Sequence, residues 1–146
     1  GTAFLFPNSS DTITIPSTAE RVITVGAYDA LTLTYADFSG RGALERWEGT
    51  AAFKPDLVAP GVKVTTVRAG GGYEEVSGTS FATPFVTGSA ALLMEWGIIK
   101  GNDPYLYGEK VKAYLRKGAK ELPGVWKYPN NQVGYGALCL ENSFPK

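Results

Sequence analysis

Histidine is absent from this 146-residue chain. No imidazole is therefore available as a general base near neutral pH or as a metal ligand. With no tight carboxylate cluster either, no metal site is expected. Cysteine occurs once, at Cys139, which excludes an internal disulfide and leaves the redox compartment open. We read Cys139 as a small buried hydrophobe. Net charge is also lacking: 14 lysines and arginines balance 14 aspartates and glutamates. The basic excess of a nucleic-acid surface is missing, so no nucleic-acid partner is expected. No apolar run reaches about 18 residues, so no transmembrane span is expected. The longest candidate, Ala90 to Met94 with Trp96, is interrupted by Glu95 and stopped by Gly97. The start, Gly1-Thr2-Ala3-Phe4, has no basic stretch leading an apolar run and no initial methionine. The expectation is an excised or processed piece of a longer protein.

What is present fits one soluble α/β domain, with 44% apolar and 19% charged residues. Thr12-Ile13-Thr14-Ile15 alternates and predicts a short strand ending at Pro16. Val22 to Tyr28 is apolar and β-branched, and predicts a strand buried on both faces of a parallel sheet. Leu31 to Tyr35 is apolar between turns. Asp37 to Gly42 reads as a loop, with Asp37 a hydrogen-bond acceptor in it. Leu44 to Phe53 reads as an irregular excursion. The two prolines of Lys54 to Gly61 point to an ordered loop or sheet edge. Val62 to Val67 is the next strand, and Gly70-Gly71-Gly72 a turn. A helix follows, capped by Thr79 or Ser80, with Pro84 early in it, where its missing N–H costs little if it sits in the first turn, and Gly97 at its end. Its apolar residues cover most of the circumference, which predicts burial. A second helix spans about Tyr107 to Arg116, with Val111, Tyr114 and Leu115 inward and Lys110, Lys112, Arg116 and Lys117 outward. Gln132 to Leu138 reads as a glycine-rich strand or turn.

The chemistry concentrates at Gly78-Thr79-Ser80-Phe81-Ala82-Thr83-Pro84-Phe85-Val86-Thr87-Gly88. A serine behind a glycine at a helix start is rigidly mounted, and the free N–H groups there can hold developing negative charge. Serine still needs a base. From the residues alone, Ser80 is a nucleophile or a helix cap. Other chemistries fit less well. No lysine lies near Ser80 in sequence for a dyad, Cys139 has no histidine partner, and Gly70-Gly71-Gly72 lacks the lysine and hydroxyl residue of a phosphate loop.

This serine segment closely resembles the serine motif of subtilisin-like proteases. Val22 to Ala27, Asp37 to Gly42 and Lys54 to Val62 resemble further segments of that family in its order, and Gly134-Tyr135-Gly136 resembles its closing glycine-containing strand. The resemblance implies a partial three-layer α/β fold with a mostly parallel sheet and a buried helix behind the nucleophile. It implies that residues 1–146 are the C-terminal part of the catalytic domain. Ser80 matches the nucleophile. The family's aspartate, histidine and oxyanion asparagine match nothing here: Asn8, Asn102, Asn130, Asn131 and Asn142 do not occupy the asparagine's position, and Asp29, Asp37 and Asp56 belong to other segments.

By the same alignment Thr14, Ile15 and Pro16 lie near the pocket for the side chain preceding the cleaved bond, and Gly78 and Thr79 adjoin the substrate. Thr14, standing where glycine is common, is expected to shorten that pocket. Phe81 and Phe85 replace a frequent methionine and histidine and are expected to pack. The implied activity is peptide-bond hydrolysis in the full-length parent, with this piece alone inactive. The alternative is a non-catalytic member serving as a binding, scaffold or regulatory module. The implied partners are peptide or protein substrates and the N-terminal part of the same protein, held noncovalently. The implied setting is secreted or cell-envelope. Calcium sites occur in the family, but no loop here matches one, so no cofactor is expected in this segment.

Overall fold

The computed structural model describes residues 5–43 and 53–145. The predicted excursion from Leu44 lies outside the described residues except for its last position, Phe53. Among the described residues five strands are present: β1 (Val25–Asp29), β2 (Thr34–Tyr35), β3 (Leu57–Pro60), β4 (Val64–Val67) and β5 (Tyr73–Val76). Three α-helices follow: α1 (Thr79–Met94), α2 (Glu109–Gly118) and α3 (Leu140–Ser143). A π-helical turn, Glu95–Ile99, continues α1.

The sheet is mixed and mostly antiparallel, which corrects the expectation of a mostly parallel one. Among the described strands only β1 and β3 pair parallel, with Val25 opposite Leu57 and Tyr28 opposite Pro60. β2 pairs antiparallel with β1, and β4 with β5 in a separate two-stranded ribbon. The reason is connection length. Residues 30–33 and 68–72 are short links that can only fold a strand back, whereas the long segment between β1 and β3 allows a crossover. Three positive-φ glycines, Gly70 to Gly72, make the second of these links. β5 was not foreseen.

β3 is the two-faced strand. Leu57 and Ala59 join the cluster of Ala27, Ala82, Val86, Leu93 and Leu115, while Val58 joins Leu122, Val133 and Ala137 on the other face. Among the described residues the helices cover one face only. The segment around Leu122 to Ala137 covers the other, so the expected third layer is not formed by helices here.

Further expectations give way. Thr12–Ile15 is not a strand, because its backbone is used in turns and a clamp. Ser17 N–H donates to the Thr14 carbonyl at 2.8 Å, and Thr12 N–H to the Arg41 carbonyl at 2.8 Å. The helix does not end at Gly97, which is buried in the π-turn against Leu106. α1 is buried along one stripe only, Ala82, Val86, Ser89 and Leu93, whereas Phe85, Leu92 and Met94 are exposed. Phe85 is therefore not a packing residue within this chain. The stretch Thr79–Ile99, 21 residues, is long and apolar enough by composition to cross a bilayer. Here its buried stripe instead packs on β1 and β3.

Finally, α2 turns Lys112 and Arg116 inward. The fully buried Asp56 carboxylate accepts from Thr24 N–H at 2.6 Å, Lys54 Nζ at 3.1 Å and Arg116 Nε at 2.9 Å, with Lys112 Nζ at 3.6 Å. A buried carboxylate needs such partners, and that need overrides the polarity of the helix face.

Candidate active site

The helix start is set from the sheet, not by a side chain. Gly78 is the N-cap, with φ 153° and ψ 157°, and no side chain caps α1. Neither Thr79 nor Ser80 plays the capping role expected of it. Gly78 N–H donates to the Gly61 carbonyl at 2.8 Å, and its own carbonyl accepts from Phe81 N–H at 3.1 Å. Ser77 Oγ accepts from Lys63 N–H at 2.9 Å, fastening the approach from β5. The Gly78 backbone lies where L side chains are rarely found, which explains the glycine.

Ser80 is the second residue of α1 and is exposed. Its Oγ makes no hydrogen bond to another described residue. The first N–H groups of an α-helix have no intrahelical acceptor, and α1 has no acidic residue in its first turn to take them up. The helix start thus presents a hydroxyl beside open donors, an arrangement suited to holding an oxyanion.

Pro84 lies inside α1 as its sixth residue, not in the first turn. It cannot donate to the Ser80 carbonyl, the acceptor four residues back. Thr83 Oγ1 donates to the Thr79 carbonyl at 3.0 Å, and Thr87 Oγ1 to that of Thr83 at 3.2 Å.

A cavity of about 460 Å³ adjoins this turn. It brings together Thr14 and Thr79 with Thr24, Asp37, Phe38 and Arg41 on its walls. Ile15 and Pro16 are exposed and do not line it, nor does Gly78. Its wall is stiff. Ala27 N–H donates to the buried Ser39 hydroxyl at 2.9 Å, Tyr35 OH donates to the Ser39 carbonyl, and the Arg41 guanidinium lies 5.2 Å above the Tyr35 ring. The sequence signalled neither the Asp56 cluster nor this wall, because their partners are brought together by the fold. Among the described residues no group of three or more histidines, cysteines, aspartates or glutamates could hold a metal ion.

Comparison with known proteins agrees with this geometry. Residues 5–136 match the profile of the Peptidase S8 subtilase family. The serine protease AprX of Bacillus subtilis (strain 168) is 35% identical over 93% of this chain and 32% of its own length. The thermophilic serine proteinase of Bacillus sp. (strain AK1) is 42% identical over 62% of this chain and 20% of its own. Among solved structures, the Clostridium perfringens CspB protease superposes with a TM-score of 0.90 at 47% identity, over 97% of this chain and 29% of that one. The self-cleaved protease domain of PatA gives a TM-score of 0.69 at 33% identity, over 94% of this chain and 45% of that one. The chain thus spans a third or less of the curated relatives named here. On the match over residues 5–136, this chain belongs to the subtilase family of proteases.

Proposed function

We propose that this chain is the C-terminal, nucleophile-bearing part of a serine endopeptidase domain, and that Ser80 forms the acyl-enzyme. The observation that carries the reading is an exposed, uncapped serine at the second position of α1, inside the family's serine segment. In this reading Ser80 Oγ attacks the scissile carbonyl carbon, and its proton passes to a histidine supplied from outside this chain. The N–H of Ser80 donates to the oxyanion. The amine half of the substrate leaves with that proton, and water then hydrolyses the ester and frees Ser80.

The cavity holding Thr14 and Thr79 would receive the side chain preceding the cleaved bond. The partners proposed are a peptide or protein substrate and the N-terminal part of the same catalytic domain. The half-exposed Phe85 and Leu92 on α1 support the second partner. Alone, the chain has no base and would be inert. A secreted or cell-envelope setting is proposed on family membership only.

The test is fluorophosphonate labelling of the full-length protein that carries this chain, with peptide mapping and a Ser80→Ala control. The expected result is a label on Ser80 and a loss of peptide hydrolysis on the order of 10⁴-fold or more in the variant. A folded protein that takes no label would favour a binding or regulatory module.

A further inference from the structure

Gly61 lies just after β3, where the sheet meets the start of α1. Its N–H donates to the Tyr28 carbonyl at 3.0 Å, and its carbonyl accepts from Gly78 N–H at 2.8 Å. One residue therefore ties the end of β1 to the turn that delivers Ser80. Gly61 is not among the positive-φ glycines, so its backbone does not demand glycine. Space does. A Cβ placed there would stand 2.6 Å from the Ala27 Cβ, 3.0 Å from the Gly78 carbonyl oxygen and 3.4 Å from the Ala82 Cβ. The three atoms nearest to it all belong to glycine or alanine. Four small residues from β1, β3's exit, the nucleophile turn and α1 together let the helix start sit directly on the sheet.

We infer that Gly61 is a positioning residue for Ser80. Its missing side chain sets the depth of the Gly78 turn, and through that turn the place of the Ser80 hydroxyl and the adjacent N–H groups. The inference rests on Ser80 being the nucleophile. A methyl group at 61 meets two obstacles of different kinds. One is the Ala27 Cβ, a core contact; Ala27 reaches the cavity wall only through its backbone N–H to Ser39, which Ala27→Gly keeps. The other is the Gly78 oxygen, which can yield only by shifting the turn. A misplacement of about 1 Å at a reacting group can cost about 10²-fold in rate, so a shift of a few tenths of an ångström is expected to cost about tenfold or less.

The two obstacles can be separated in the full-length protein. The variants are Gly61→Ala, Ala27→Gly and the pair combined, read by melting temperature, by kcat and KM on a peptide substrate, and by the rate of fluorophosphonate labelling. Gly61→Ala should lower the melting temperature and lower kcat and labelling about tenfold, with KM within about twofold. The double variant removes the Ala27 overlap. It should regain the stability of Ala27→Gly and keep the tenfold loss in kcat and labelling, because the Gly78 contact remains. Recovery of kcat together with stability in the double variant would overturn the inference, since the role would then be packing alone. Unchanged kcat in Gly61→Ala would do the same. If Gly61→Ala does not fold, the double variant against Ala27→Gly decides. A wild-type protein that neither hydrolyses peptide nor takes the probe overturns the reading of Ser80, and the inference with it.

Discussion

Ser80 owes its exposure to two glycines that are needed for different reasons. Gly61 is required by space, whereas Gly78 is required by its backbone. A Cβ at Gly78 would meet the Phe81 ring at 3.4 Å, an ordinary contact, but φ is 153°. Gly78→Ala should therefore cost about 1–3 kcal/mol through backbone strain. Denaturant unfolding of the full-length protein measures this, and a cost below about 0.5 kcal/mol would show the turn relaxing freely. The importance of this serine was legible in the sequence because glycine before a serine at a helix start is a local pattern. The cap was not. Gly78 is held by Gly61, a residue from another element, and no local pattern announces that bond. The place of Pro84 depends on the same cap. Once α1 begins at Thr79, the proline falls inside it and leaves the Ser80 carbonyl without its helical donor.

At the scale of elements, α2 shows how far periodicity carries. Val111 and Leu115 face the core as their spacing predicts. Lys112 and Arg116 do not face water, because Asp56 lies buried beneath them. A stripe of charges on one helix says nothing of a carboxylate just ahead of a distant strand. The three cations around Asp56 are not equivalent. Arg116 donates through Nε and Nη2 and lies 4.9 Å above the Tyr135 ring. Burial holds the Lys54 ammonium below its ordinary range against the pull of Asp56. Arg116→Met should therefore cost about 3–5 kcal/mol, as breaking a buried pair does, and Lys54→Met clearly less. Equal losses in denaturant unfolding would contradict this ranking.

A second tether is more exposed. Asp103 accepts from Lys110 Nζ at 2.7 Å and from Tyr114 OH at 3.1 Å. The bond from Lys110, followed by that from Tyr114, holds the carboxyl below its usual value of 3.8, and the Asp103 bond holds Lys110 above 10.5. The carboxylate's share of stability is thus complete above pH 3.8 and lost as pH falls through the lowered folded value. Lys110's share is complete below pH 10.5 and lost as pH rises through its raised one. Amide exchange in the first turn of α2 should stay slow between these limits, after correction for intrinsic rates. Lys110→Met should weaken the protection's dependence on acid, leaving the part that the Tyr114 bond holds.

Across the whole molecule, the arrangement of apolar surface says most about what surrounds this chain. On α1, Phe85 and Leu92 lie on one flank, with Gly88 between them and nothing within 4 Å of where its Cβ would stand. Phe85 is 42% and Leu92 49% exposed, although each sits on the helix that carries Ser80. The sequence reading took this helix as buried all round, and the described residues cover one stripe of it. The AprX protease is matched over only 32% of its length. A flank covered by the remainder of such a protein would behave as core. An exposed leucine changed to serine shifts stability by no more than about 0.5 kcal/mol, whereas a buried one costs about 1.5–3 kcal/mol. Leu92→Ser in the full-length protein should fall in the second range, by denaturant unfolding. A shift within about 0.5 kcal/mol would mean that this flank faces water in the complete protein, and the N-terminal part would then have to meet the chain elsewhere.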